Sequence, residues 1–158
     1  MYLEVFEGEF GTQDSLGGND ISLVGFCDED WAGDTHRRST TGYVFFVGRE
    51  AVSWKCKKQP TIALVTTEEE YMAISQCTKE AIWLRQLLAD VGYVQKEATS
   101  VMCDNQGCIQ HAKNPMHHYR TKHIDIQHNF IREKLETEDI CLSYCPTEHM
   151  IADVLTKA

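Results

Sequence analysis

Ile21-Ser-Leu-Val-Gly-Phe-Cys27 is an apolar run that stops on Asp28, and the fold is decided by how this stretch is read. Seven residues, mostly apolar with β-branched and aromatic members, describe a buried strand rather than a helix of ordinary length. A polar segment, Asp28 to Thr41, follows it. Beyond lie Gly42-Tyr-Val-Phe-Phe-Val47 and Ala51-Val-Ser-Trp-Lys-Cys56, two strand-like runs separated by Gly48-Arg-Glu50, the spacing of a hairpin. Upstream, residues 1–20 are rich in Glu and Gly and end in Leu16-Gly-Gly-Asn-Asp20, which predicts a linker or loose edge and places the folded domain at 21–158.

Further along, the period changes. Thr67-Glu-Glu-Glu70 has the form of a capping box, with Thr67 as cap, and Tyr71, Ile74, Thr78, Ala81, Ile82 and Leu88 then recur at roughly helical spacing up to Gly92. Thr99 to Asp104 predicts another strand and Gln106 to Lys113 a short helix stopped at Asn114-Pro115. His123 to Leu135 predicts a longer helix with Ile124, His128, Ile131 and Leu135 on one side. Ile140 to Cys145 predicts a last strand, and Thr147 the start of a last helix. The order β-β-β-α-β-α-α-β-α is that of an α/β domain, a mixed sheet flanked by helices.

At 158 residues the chain suits one domain with a single core. No apolar run approaches the ~20 residues that span a bilayer, so no membrane partner is expected. Met1-Tyr-Leu-Glu-Val-Phe-Glu7 lacks a basic flank followed by an apolar core, so no secretory signal is expected. Seven cysteines, an odd number scattered through apolar runs, fit reduced thiols. The close pairs Cys103/Cys108 and Cys141/Cys145 lack the spacing of a structural zinc site. These features predict an intracellular protein, cytoplasmic or nuclear and not secreted, or a piece of a larger one. The formal net charge of -9 argues against strong nucleic-acid binding. Its basic residues nevertheless cluster, at Arg37-Arg38, Lys55-Cys-Lys57-Lys58 and Arg120-Thr-Lys122-His123.

Four acidic residues stand where elements begin or end: Asp28, Glu70, Asp104 and Asp153. Carboxylates delivered from separate elements can converge, and an oxygen-only cluster suits magnesium or manganese. Read singly, each has a plainer role: Asp28 as a strand-end turn residue, Glu70 as partner of the Thr67 cap, Asp104 as cap of the next helix, Asp153 as a solvated helix residue.

Seven motifs in order give the chain a resemblance to the ribonuclease H domain of copia-type retrotransposon polyproteins. They are Gly25-Phe-Cys-Asp-Glu-Asp-Trp-Ala-Gly-Asp34, Arg38-Ser-Thr-Thr-Gly-Tyr43, Ser53-Trp-Lys-Cys-Lys-Lys-Gln59, Thr67-Glu-Glu-Glu-Tyr-Met-Ala73, Cys103-Asp-Asn-Gln106, Arg120-Thr-Lys-His-Ile-Asp125 and Ala152-Asp-Val-Leu-Thr-Lys157. The resemblance runs from about Leu23 to Lys157. It implies a five-stranded mixed sheet with helices on both sides, matching the element order. It implies endonucleolytic cleavage of the RNA strand of RNA–DNA hybrids during reverse transcription, with two Mg2+ ions, Mn2+ as a substitute, and no small-molecule cofactor.

By motif match Asp28, Glu70, Asp104 and Asp153 would be the catalytic metal ligands. The match places Glu70, directly before the aromatic residue, in that role rather than Glu68, and Glu69 departs from the small residue usual there. Asn105 and Gln106 carry amides suited to 2′-hydroxyl contacts, and Arg37, Arg38, Lys55, Lys58, Lys122 and Trp31 are candidates for backbone contacts. Trp54, inside a strand, is expected to pack in the core. His149 is weighed between an auxiliary role in proton transfer or product release and a surface residue. It stands closer to Asp153 than the family's usual spacing. His117, His118 and His123 suit a loop edge more than a metal cluster, and Asp125 an anchor for its helix. The implied partners are the hybrid and an upstream reverse transcriptase region. The chain stops at Ala158, soon after Asp153, which predicts a short last helix. A different class stays open: a domesticated or fragmentary relative that keeps the fold as a nucleic-acid-binding or protein-interaction module.

Overall fold

The computed structural model describes residues 21–30, 40–58, 66–114 and 122–156. Five strands and four α-helices follow one another as β1 (Leu23–Asp30), β2 (Thr40–Val47), β3 (Glu50–Lys58), α1 (Thr66–Asp90), β4 (Thr99–Cys103), α2 (Gln106–Lys113), α3 (Lys122–Glu136), β5 (Ile140–Tyr144) and α4 (Asp153–Thr156), with a 3-10 turn at Thr147–His149. This is the order expected from the sequence. The strands form one sheet in the order β3-β2-β1-β4-β5. β1–β2 and β2–β3 pair antiparallel, while β1–β4 and β4–β5 pair parallel.

Side chains alternate between the two faces of a strand, and β1 shows what each face meets. Leu23 and Cys27 join Phe45, Tyr71, Ile74, Cys77, Val101, Ile131 and Leu142 in the larger core, beneath α1, α2 and α3. Phe26 turns the other way and packs with Val44, Cys145, Met150 and Ala152, where α4 covers β1 and β2. Gly25 is required by the first face: a Cβ there would stand 2.8 Å from Phe45 Cζ, and Phe45 is fully buried.

α1 ends as its sequence dictates. Gly92 has φ of 96°, its amide donates to Ala89 O at 3.0 Å, and Tyr93 N–H donates to Leu88 O at 2.7 Å. This left-handed closure is easiest for glycine. At the other end the helix already includes Thr66, so Thr67 lies inside the helix and is not its cap. Glu80 fastens α1 to the antiparallel strands, accepting from Ser53 Oγ at 2.6 Å and from Tyr43 OH at 3.3 Å.

Three further expectations change. β1 continues past Cys27: Asp28, Glu29 and Asp30 still pair with Gly42, Thr41 and Thr40. A strand can carry polar residues where it nears a sheet end, and apolar content alone placed the boundary too early. The last helix does not begin at Thr147; a 3-10 turn takes Thr147–His149 and α4 starts only at Asp153. Trp54 is 65% exposed, on β3 at the edge of the sheet. Residues 1–20 lie outside the described residues, so the linker expected there is not described.

Candidate active site

Parallel pairing of β1 with β4 builds the site. Cys27 is the register partner of Cys103, so the chain positions that follow, Asp28 and Asp104, leave the same end of adjacent strands. Adjacent strands run ~4.8 Å apart, which brings two acidic residues together that are distant in sequence. Asp28 is buried at 5% exposure and Asp104 is half-buried. Both line an open cleft of about 560 Å³ with Glu29, Asn105, Gln106 and Tyr144. Ala73 and Ile74 of α1 close one side, and Cys27, Cys103 and Cys108 lie along its floor.

Asp104 is oriented by a residue that sequence reasoning missed. Thr147 Oγ1 donates to Asp104 Oδ2 at 3.1 Å, from the turn that follows β5. Only the fold relates these positions, and Thr147 stood out in the sequence merely as a helix start. Asn105, not Asp104, caps α2: its Oδ1 accepts the Cys108 amide at 2.9 Å. One of the two acceptor positions of Asn105 Oδ1 is thus used within the fold. Gln106 is exposed at the mouth of the cleft.

The other predicted residues fall in several places. Glu70 lies on the backbone of α1, one turn before Ala73 and Ile74, while its side chain is outside the described part. Asp153 is half-buried at the first position of α4 and is not in the cleft lining. Among the described residues, no three His, Cys, Asp or Glu side chains come close enough to hold a metal ion. Lys55 is exposed on β3, with β2 between it and β1. Lys58 ends β3 and Lys122 begins α3, their side chains undescribed, and Arg37, Arg38, Trp31, His117 and His118 lie outside the described residues. His149 is exposed in the 3-10 turn, its Nε2 3.8 Å from Glu148 Oε1. Asp125 is half-buried in the first turn of α3, a favourable place for a negative charge.

Beneath the aspartates lies a cluster of thiols. Cys27 Sγ and Cys103 Sγ are 3.1 Å apart, both buried. Hydrogen bonding from Cys103 and then Cys77 draws the Cys27 thiol down from its ordinary value. The same bond to Cys27 pushes Cys103 up, and burial pushes Cys77 up.

A mixed sheet in the order β3-β2-β1-β4-β5, with two aspartates at the ends of its central parallel pair, defines a ribonuclease H-like domain. The fold is shared with a solved structure of LC11-RNase H1 in complex with RNA/DNA hybrid, at a TM-score of 0.62 and 13% identity over 86% of this chain and 94% of that one. No family model matches the chain. In sequence it is 43% identical over 156 residues, 98% of its length, to the retrovirus-related Pol polyprotein from transposon TNT 1-94 of Nicotiana tabacum. It is 36% identical over 141 residues, 89% of its length, to that from transposon RE2 of Arabidopsis thaliana. The chain belongs to the ribonuclease H-like domains of copia-type, retrovirus-related Pol polyproteins of transposons. It spans 12% of the tobacco relative's length and 10% of the Arabidopsis one.

Proposed function

We propose that this domain hydrolyses the RNA strand of RNA–DNA hybrids with the help of two divalent ions, as the nuclease part of a transposon Pol polyprotein. The observation that carries this is the pairing of Asp28 and Asp104 at the mouth of one cleft, in a fold shared with a ribonuclease solved on such a hybrid. The donor chemistry fits magnesium or manganese, because carboxylate oxygens are the hard ligands these ions prefer. Asp28 and Asp104 would hold the ions, Glu70 would join from the first turn of α1, and Asp153 from the start of α4. When bound, such ions stabilise the attacking and leaving oxygens of an in-line displacement and provide an activated water.

The remaining residues position and recognise. Thr147 holds one Asp104 oxygen, which leaves the other directed by the strand end. Asn105 fixes the start of α2 against β4, so the Asp104 backbone is held from both sides. Gln106, exposed beside them, would meet a 2′-hydroxyl, the group that separates RNA from DNA. Lys55, Lys58, Lys122, Arg37 and Arg38 supply phosphate contacts in this proposal, and the net charge of -9 keeps the domain's own grip weak. An upstream reverse transcriptase region of the same polyprotein would raise the effective concentration of hybrid.

Incubation with a hybrid labelled on its RNA strand tests this. Cleavage to 3′-hydroxyl and 5′-phosphate ends is expected with Mg2+ or Mn2+ and none in excess chelator. Chelator-insensitive cleavage would overturn the metal mechanism. Hybrid binding without cleavage in either ion would leave a binding module instead of an enzyme.

A further inference from the structure

We propose that Cys27 and Cys103 are a peroxide-sensitive pair that closes reversibly into a disulfide beneath the carboxylate cleft. The two residues are register partners on adjacent parallel strands. Strand neighbours stand ~4.8 Å apart, within the ~4.4–6.8 Å that disulfides span between Cα atoms. Their sulfurs are already 3.1 Å apart, and both are free thiols. Bond formation requires the sulfurs to approach by only about 1 Å, to the ~2.05 Å of a disulfide. Both residues line the cleft and are otherwise buried, so the open side of the cleft is the route by which an oxidant as small as hydrogen peroxide would reach them.

The chemistry balances with peroxide as the sole oxidant. One thiol sulfur attacks a peroxide oxygen, the O–O bond breaks, and a sulfenic acid and one water result. The second sulfur then attacks the sulfenic sulfur, the S–O bond breaks, and a second water leaves. Two thiols and one hydrogen peroxide thus become one disulfide and two waters. A dithiol reductant reverses the change by exchange.

The consequence follows from what comes next in each strand. Cys27 precedes Asp28 and Cys103 precedes Asp104, so a bond between the sulfurs ties together the two strand ends from which both carboxylates spring. A displacement of ~1 Å at reacting groups can cost on the order of 100-fold in rate. Oxidation should therefore switch the cleft off. This second half rests on the proposed nuclease function, whereas the disulfide does not.

The test treats the whole chain with hydrogen peroxide, removes the excess, and maps linked peptides by mass spectrometry. A species lighter by two hydrogens, with the Cys27 and Cys103 peptides joined and separable by dithiothreitol, is expected. Cys27→Ala and Cys103→Ala should each abolish the link, while Cys56→Ser, at an exposed thiol, should keep it. Oxidation confined to Cys56, or a Cys27–Cys77 link instead, would overturn the assignment. In parallel, hybrid cleavage by the oxidised chain should fall at least about 10-fold and return on reduction, with Cys103→Ala showing no peroxide response. Linked but fully active protein would overturn the switch. A reduced chain without cleavage would count against the nuclease proposal alone, because the peptide map still decides the disulfide.

Discussion

Thr147 Oγ1 donates a hydrogen bond of 3.1 Å to Asp104 Oδ2, joining the turn after β5 to the end of β4 across 43 residues of sequence. The bond fixes the rotation of a carboxylate that the backbone alone would leave free to turn. Removing it should therefore loosen the site without unfolding the domain. Thr147→Ala is expected to lower hybrid cleavage about 5-fold, the rate equivalent of ~1 kcal/mol for one hydrogen bond. Thr147→Ser keeps the hydroxyl and should restore most activity. Equal activity in wild type, Ala and Ser variants would remove Thr147 from the site.

Asp28→Asn and Asp104→Asn should each reduce cleavage by at least about 100-fold. The fold should persist, because amide and carboxylate share a shape. Without divalent ions both variants are expected to melt no lower than the parent, since each relieves repulsion between neighbouring carboxylates. The parent should gain more thermal stability from Mg2+ than either variant. A thermal melt with and without Mg2+ checks this beside the activity assay, and an Asp28→Asn variant with parental activity would contradict the assignment.

Glu70 and Glu68 separate by helical geometry. Two residues along an α-helix are about 200° apart, so they cannot serve the same cleft. Glu70→Gln should abolish most cleavage with little change in stability, while Glu68→Gln should keep most of it. The reverse result would show that the opposite face of α1 meets the cleft.

Gly25→Ala is expected to destabilise the domain by about 1–3 kcal/mol, as overpacking of a core does. The added carbon meets the ring of Phe45, which is fully buried. A melting temperature lower by roughly 2–12 °C follows for a domain of this size. A Gly25→Ala, Phe45→Leu double variant should recover part of the loss, and a single variant as stable as the parent would show that the ring moves freely.

Tyr43 should make the fold sensitive to alkali. Burial, then the charge of Glu80, raises its pKa above the ordinary tyrosine range. Folding therefore favours the protonated phenol. Its contribution is complete below the unfolded value of ~10 and is lost as pH rises towards the folded one. Urea midpoints at pH 8 and pH 11 should differ more for the parent than for Tyr43→Phe, and an equal drop in both would refute this.

Much of this architecture was written locally. Ile21 to Cys27, the runs around Gly48 and the periodic stretch ending at Gly92 each carry the spacing of their element, so the element order could be derived without coordinates. Boundaries were less legible. Apolar content ended β1 at Cys27, but backbone pairing with β2 carries it through Asp30, since hydrogen bonds to a neighbour hold a strand whatever its side chains. The same lack of context put Trp54 in the core, whereas its place on an edge strand leaves it exposed.

For the site, the sequence by itself determined which residue types were present: four acids at element ends and a thiol before two of them. The motif order tied those acids to one family. What only the tertiary structure decided was who meets whom. Asp28 and Asp104 share a cleft because β1 and β4 pair in parallel, and that pairing is non-local, set by the packing of α1, α2 and α3 over one face. The same register brings Cys27 to Cys103, and the turn after β5 brings Thr147 to Asp104. No periodicity encodes such contacts, because each joins side chains from elements whose separation is fixed by the sheet rather than by the chain.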